Sequence, residues 1–401
     1  MDVEGTPGIG SVLSPDGWAY ASTPPVDEQD PGRFHALFGR DSLIFALQVL
    51  PERPDVAMAT LRAHARMLGR RDDPEIDEEP GKVVHEYRPE APAWLVEAGW
   101  PVRDGEIRYY GTADATSWFL VLLAATGDPA LVRELSPAWT AAAGWLERTL
   151  DRGGGLVRHG PRRFPGGLGQ QGWRDTQDAG SDGHGGGIVR PDGSVPEPPL
   201  ADADSQAVAV AALRSLRAVD PDRAEHWIRR EQDLRSAVTA AYRPDVMAVE
   251  GDGRPVPGAG SQLGWLLWAD ALEPAAAMSA ADRLVRPDVL TPYGLRTLSS
   301  EHPAFRAEGY HRGAVWPFDS WIGWAGLAAH GREDEAERVR SGVLDAVHRL
   351  GRAPELYAVT LDGGLEPVPI ANRVQAWTIG AAHALRAGWS GRPWTTGGAG
   401  P

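Results

Sequence analysis

The sequence predicts an all-α protein, an (α/α)6 barrel or six-hairpin toroid, with long irregular loops on one face. Three observations predict it. Helical segments come in pairs, with a short loop inside each pair and a long loop rich in glycine and aromatic residues before the next. The first helix of several pairs is apolar nearly all round (residues 45–50, 118–125 and 321–327), whereas the second is amphipathic and rich in Arg and Glu, as at 333–350. A helix apolar on every side is buried and an amphipathic one faces water, so inner helices alternate with outer ones. Two closed layers follow from that alternation more naturally than a four-helix bundle. No motif recurs at a fixed period, which weakens the alternative of a solenoid.

Taken in order, residues 1–33 are rich in Gly, Pro, Ser and Asp and read as an N-terminal arm, expected to pack on the body through Trp18 and Tyr20. A first helix opens within 38–44 and runs to Leu50, where Pro51 and Pro54 end it. Asp55 caps a second, whose Val56, Met58, Leu61, Ala65 and Leu68 keep helical spacing up to Gly69. A third is expected over 112–125 and a fourth over 129–150, the latter starting after Asp128. Residues 151–200 hold many Gly and Pro and read as loop. A fifth helix is expected over 204–218 and a sixth from Asp220-Pro221 to Tyr242. The seventh begins at 260, the eighth covers 274–284 and the ninth follows Trp316-Pro317. The tenth and eleventh cover 332–350 and 372–387. A twelfth is not evident and is expected in the arm. Strand-like stretches at 83–87, 155–159, 246–249 and 357–359 are short and sit in loops. The barrel domain then spans 34–390, and the Gly-rich residues 391–401 read as a flexible tail.

With 401 residues the chain can bury a sizeable core. Its net charge of −15 opposes nucleic acid and anionic membranes as partners, since both demand a basic surface. It contains no Cys, so disulfides, thiolate nucleophiles and Cys-ligated metals are excluded. Residues 1–10 carry neither the basic start nor the apolar run of a signal peptide, and no stretch is apolar for long enough to span a bilayer. A cytoplasmic protein is the expectation. No metal-ligand spacing, phosphate loop or dinucleotide fingerprint is evident, so no metal and no cofactor are expected; the glycines at 183–187 read as flexible loop. The oligomeric state is left open.

The informative excess is Trp, at sixteen against eight Tyr and seven Phe. Trp173, Trp316 and Trp377 stand beside Gly, His, Arg or Asp and not in aliphatic runs, which favours a polar cleft with aromatic walls. The central stretch is QGWRDTQD at 171–178. An indole offers a flat apolar wall to a sugar ring, and a carboxyl shielded by it is pushed towards its protonated form, as a general acid requires. The partner to be expected is therefore a small-molecule carbohydrate. Arg174 would oppose that shift at Asp175 unless its side chain turns away, and it is expected to turn away. The same end of the ring should gather Arg40, Asp41, His85, Glu86, Asp114, Asp178, His311, Arg312, Glu355 and Gln375.

Seven motifs occur in order: FGRDSL at 38–43, DEEPGKVVHEYR at 77–88, YYGTADAT at 109–116, QGWRDTQDA at 171–179, GYHRGAVWP at 309–317, PELY at 354–357 and VQAW at 374–377. Together they resemble the amylo-α-1,6-glucosidase or glycogen-debranching type of catalytic domain. That group is a branch of the inverting (α/α)6 glycoside hydrolases, with glucoamylases, trehalases, processing α-glucosidases and glucosyl- or mannosylglycerate hydrolases. The resemblance covers 34–388. It implies Asp175 as general acid and Glu355 as general base of an exo-acting α-glucosidase. It also implies Arg40 and Asp41 as the pair holding sugar hydroxyls, Trp173, Trp316 and Trp377 as ring-stacking walls, and His311, Arg312 and Gln375 as polar contacts. Asp114 joins the substrate-binding set, with the cap of the third helix as its plain alternative. Inversion needs the two carboxyls ~6.5–9.5 Å apart, which two separate loops can span. Asp178, close behind Asp175, is a supporting residue, or the acid if the register of the motif is shifted.

The chain departs from the family pattern at three places. Phe318-Asp319-Ser320 stands for His-Asp-Asn, Asp204-Ser205-Gln206 for a Glu-Val-Gln type run, and Trp265 for a frequent His. These line the family's cleft and put the usual substrate in question. No large N-terminal domain of the debranching kind precedes the motifs, so a short oligosaccharide or a glucosylated small molecule is expected over a long branched glucan. Two other classes stay open: a sugar-binding relative with idle carboxylates, and an epimerase or lyase on the same ring. The presence of both Asp175 and Glu355 favours the hydrolase.

Overall fold

The computed structural model of the chain describes residues 7–25, 32–164, 166–175 and 187–395; Asp178 and the glycines at 183, 185 and 186 lie outside them. In chain order the described α-helices are α1 (Gly39–Gln48), α2 (Pro54–Arg66), α3 (Ala93–Glu97), α4 (Ala115–Ala125), α5 (Pro129–Glu134), α6 (Ser136–Arg152) and α7 (Ala203–Val219). There follow α8 (Ala224–Ala241), α9 (Gln262–Trp268), α10 (Pro274–Leu284), α11 (Pro317–Ala329), α12 (Glu333–Leu350) and α13 (Ala376–Ala387). The protein is helix-rich, as expected.

Six of these helices form the interior. Every residue of α1 and α9 is buried, and α4, α7, α11 and α13 are buried over most of their length. Taken in the order α1, α4, α7, α9, α11, α13, each packs on the next, and α13 packs back on α1, so the contacts close a ring. Outside it, α2, α6, α8, α10 and α12 each lie against the inner helix that precedes them in the chain. These outer helices bury a single stripe: α8 hides Trp227, Glu231, Leu234 and Val238 and leaves its other faces to water. Close approach in the ring needs small residues. A Cβ on Gly264 of α9 would come 2.6 Å from the Cα of Gly323 on α11, so a larger residue would force the two helices apart.

Four expectations are corrected. The fourth helix is two, because Pro137 in the first turn of α6 lacks an amide hydrogen and the chain kinks at Leu135. The third starts at Ala115, since Asp114 stands at its cap. The eleventh starts at Ala376: Gln375 at its cap is extended and reaches Asp41, and Asn372 bonds back to Val374 and Gln375. Among the described residues of the arm, the twelfth helix sought there is only the 3-10 turn Ile9–Val12, which packs on α13. The arm also pairs Ser22 with Gln375 and accepts the Ala376 amide at Ala21 O, 2.8 Å away. The short α3 was not foreseen. At the other end, Trp394 packs edge-on to Trp268 of α9.

The strands are short and lie between helices. β1 (Leu37–Phe38), β2 (Glu86–Arg88) and β3 (Ile107–Tyr109) form one antiparallel sheet; β4 (Leu200–Asp202), β5 (Val246–Glu250) and β6 (Pro255–Pro257) form another. Two hairpins, β7 (Leu290–Thr291) with β8 (Gly294–Leu295) and β9 (Tyr357–Val359) with β10 (Leu365–Pro367), complete the set. The stretch at 155–159 makes only one bridge, His159 to Leu200. β1 and β4 run straight into the first turns of α1 and α7, which fixes how those helices enter the ring. No helix among the described residues is long and apolar enough to cross a membrane.

Candidate active site

The inner helices present their N-terminal ends to one another through side chains. Arg40, in the first turn of α1, donates from Nε to Asp114 at the cap of α4 (2.7 Å) and from Nη1 to Asp175 (3.2 Å). Arg174 donates to Asp204 in the first turn of α7 (3.0 Å), to Ser261 before α9 (2.8 Å) and to the carbonyl of Thr297 (2.9 Å). Trp265 of α9 donates to Asp319 in the first turn of α11 (2.6 Å). Gln375, at the cap of α13, donates to Asp41 of α1 (3.1 Å). All six inner helices thus meet at one end, and the positive ends of their dipoles favour the acidic residues gathered there.

Asp41, Asp175 and Glu355 form the carboxylate group of this end. Each charge in it disfavours the others: Asp175 and Glu355 both raise Asp41, and Asp175 raises Glu355. Asp175 keeps 25% of its side chain open, yet the depth of protein around it pushes its carboxyl up to about 6 against the opposing pull of Arg40. Burial pushes Glu355 up to about 7, opposed by two donors. Those donors are the Tyr310 hydroxyl on Oε1 and the Asn372 amide on Oε2 (3.0 Å). Burial raises Asp41 to about 8, with Arg40 and Gln375 acting the other way. Arg174 does turn away from Asp175, into the three partners named above; the cation on Asp175 is Arg40.

The aromatic residues form one continuous body. Trp173 is 1% exposed. Trp265 lies parallel to it at 5.9 Å, Arg174 stands 4.5 Å over its ring, and His311, Trp316 and Phe318 meet it edge-on. His311 stacks on Trp316 at 5.1 Å and Phe318 on Trp377 at 4.0 Å. Each of the three indoles therefore has one face covered by another ring. The indole N–H groups of Trp173 and Trp377, and Nη2 of Arg40, are buried without a hydrogen-bond partner among the described residues. A buried donor left unmade is costly, so these are places where a hydroxyl-rich molecule would gain most. Burial, with the charges of Arg174 and Arg40, holds His311 neutral, well below its usual range.

Of the residues singled out in the sequence, Arg40, Asp41, Asp114, Asp175, Glu355 and Gln375 meet through hydrogen bonds or charge, and Trp173, His311, Trp316 and Trp377 through ring contacts. Arg312 is buried in the adjoining turn, whose amide it closes on Gly309 O (3.0 Å). His85 meets Tyr109 edge-on, and Glu86 pairs with Arg88. Tyr310 and Asn372 were missed. Tyr310 stood inside a quoted motif but was passed over for its His and Arg neighbours; Asn372 gave no signal. The departures from the family pattern turn inward: Trp265 and Phe318 are packing rings, Asp319 binds Trp265, and Ser320 accepts the Leu295 amide (3.0 Å). No group of three or more His, Asp or Glu among the described residues could hold a metal ion.

The family comparison defines the class of the protein as a glycoside hydrolase. The profile of the mannosylglycerate hydrolase MGH1-like glycoside hydrolase domain matches residues 81–357, and the chain belongs to that family. None of the curated proteins matches it at the sequence level. The fold is similar to the GH63 mannosylglycerate hydrolase of Thermus thermophilus in complex with Tris and D-glycerate, at TM-score 0.67 and 17% identity, covering 94% of this chain and 98% of that one. The same enzyme in complex with glucose matches at TM-score 0.63 and 19% identity over the same shares. A structure described as wild-type glycosidase matches at TM-score 0.58 and 13% identity, over 95% and 94%. The match is to the mannosylglycerate hydrolase branch of the wider superfamily and does not single out the debranching type.

Proposed function

We propose that the chain is an inverting, exo-acting hydrolase of an α-glycosidic bond in a short oligosaccharide or a glycosylated small molecule, with Asp175 as general acid and Glu355 as general base. In this reading residues 34–390 are one (α/α)6 catalytic barrel, with the N-terminal arm sealing it. Asp175 gives its proton to the glycosidic oxygen as the bond to the anomeric carbon breaks. Glu355 takes a proton from a water that attacks the opposite face of that carbon. The sugar leaves with inverted configuration, the aglycone leaves as its alcohol, and one water is consumed. Arg40, Asp41 and Gln375 would hold hydroxyls of the sugar, with Trp316, Trp377, Trp173 and His311 as its apolar surroundings; Asp114 orients Arg40, and Arg312 belongs to the adjoining turn.

The observation that carries this reading is the electrostatic grouping of Asp175 and Glu355, brought from separate loops and given different partners. Oδ2 of Asp175 faces Arg40, and burial holds the carboxyl up at about 6 against that cation, which favours it as the carrier of a proton. Glu355 receives two hydrogen bonds, which favour its ionised form. The family supports a small hydroxy acid of the glycerate kind, or a short sugar, as the aglycone, joined to glucose or mannose.

One observation favours a second reading, in which the roles are exchanged: without ligand, Glu355 sits higher than Asp175. Proton NMR decides both matters. Wild type, Asp175→Asn and Glu355→Gln would be incubated with α-glucosides, α-mannosides and the α-glucosyl and α-mannosyl fluorides. Release of the β-anomer first, with Asp175→Asn inactive on O-glycosides but active on a fluoride, is expected. Retention of configuration would exclude inversion, and the fluoride rescuing Glu355→Gln instead would exchange the roles. Saturable sugar binding with no turnover would point to a binding protein.

A further inference from the structure

The motif at 77–88 carries residues that the reaction above does not use. Asp77 has a left-handed backbone, φ 57°, which a residue with a side chain adopts at some cost and Asn or Asp more readily than most. Its side chain is nearly closed to solvent, at 9% exposure, and points towards the segment that leads to Asp175. Oδ1 accepts from Arg163 Nε at 3.3 Å and Oδ2 from Gln171 Nε2 at 3.3 Å. The Tyr109 hydroxyl lies close enough to this carboxylate to favour its charged form. Behind it, the chain's single lysine, Lys82, is buried and donates to the Asp77 carbonyl at 3.2 Å.

Tyr109 holds the same segment at a third point. Its hydroxyl oxygen accepts the Leu168 amide at 2.9 Å. Its ring meets Phe164 at 5.4 Å and Trp100 at 5.1 Å, and those two meet each other at 5.5 Å. Gly111 makes room for that hydroxyl: a Cβ there would lie 2.0 Å from it. Tyr109 is also near enough to Asp175 to feel its charge. The segment is therefore tied at Arg163, Phe164, Leu168 and Gln171 to two residues of one neighbouring region, four positions before the acid.

We propose that Asp77 and Tyr109 are positioning residues, a clasp that sets where the Asp175 carboxyl stands against the glycosidic oxygen. The proposal rests on the hydrolase reading with Asp175 as acid. A clasp of this kind acts on proton delivery. A misplaced acid slows substrates whose leaving oxygen must be protonated, since alignment errors near 1 Å can cost about a hundredfold. Fluoride departs from an α-glycosyl fluoride without a proton, so its hydrolysis depends only on the water, the base and the sugar contacts. A residue that merely supports the fold would lower both rates together.

The test is steady-state kinetics of Asp77→Asn and Tyr109→Phe on the best O-glycoside and on the matching α-glycosyl fluoride. Asn accepts the left-handed backbone and Phe keeps the ring packing, so each variant removes little beyond the polar contact. The expected result is a kcat lowered about tenfold on the O-glycoside, with KM and the fluoride rate within about twofold of wild type. Equal losses on both substrates, or no loss on the O-glycoside in either variant, would overturn the clasp. Wild type hydrolysing neither substrate would sink the hydrolase reading itself and the clasp with it.

Discussion

Tyr310 donates its hydroxyl hydrogen to Oε1 of Glu355, and burial holds that hydroxyl well above its ordinary range, so it stays a donor at every working pH. The bond stabilises the charged form of Glu355. Tyr310→Phe should therefore raise the Glu355 carboxyl further. In the proposed reaction Glu355 is the general base and must be ionised, so the acidic limb of the kcat/KM profile should move up by about one pH unit. A pH–rate series on wild type and variant checks this; an unmoved limb would mean that Tyr310 does not act through Glu355.

Arg40 acts on Asp175 in the opposite sense to burial. Arg40→Met should raise the Asp175 carboxyl, moving the basic limb of the profile to higher pH, because the acid then keeps its proton longer. It should also strand Asp114, which is fully buried, at a cost of about 3–5 kcal/mol of stability. Urea denaturation and the pH profile read the two effects separately.

Glu355→Gln should make the protein more stable while abolishing turnover. The unfolded carboxyl loses its proton near 4.5 and the folded one near 7. The folded state thus binds the proton more tightly, and stability falls as pH rises between those values. Removing the ionisation should be worth on the order of 3 kcal/mol at pH 8 and close to nothing at pH 4. Thermal melts at both pH values check it; equal shifts would exclude ionisation as the cause.

His64 on α2 is fully buried, and neither ring nitrogen has a hydrogen-bond partner among the described residues. Burial drives it down to about 3, so it stays neutral in the folded chain while the unfolded one takes up a proton below about 6.5. Wild-type stability therefore falls as pH drops through 6.5 towards 3. His64→Leu should stabilise by about 1–3 kcal/mol, with a larger gain at pH 5 than at pH 8. Melts at the two pH values test the sign.

The alternation of buried and amphipathic helices was legible because burial on every side leaves an unambiguous composition: α1 and α11 stand where expected, and α4 starts only three residues later than expected. Boundaries were less so. Leu135 breaks a helix whose apolar pattern runs on through it, and only Pro137 signals the break. In the site, residues with a strong chemical signature at a helix start, such as Arg40, Asp41 and Gln375, could be placed. Tyr310 and Asn372 could not, because what matters is the hydrogen bond each makes to Glu355, and pairing across loops leaves no period in the sequence. The aromatic walls expected of Trp173, Trp316 and Trp377 are rings with a covered face: Trp265 lies on Trp173, Phe318 on Trp377 and His311 on Trp316.

Gln375 and Asp41 are separated by 334 positions, and their bond spans the seam where α13 meets α1. Most helical hydrogen bonds are local and form early, whereas so distant a contact must wait for the intervening chain to be organised. In a refolding experiment, then, far-UV ellipticity should return well before the capacity to turn over substrate. On this reasoning the site is completed late in folding, once α13 has closed the ring against α1.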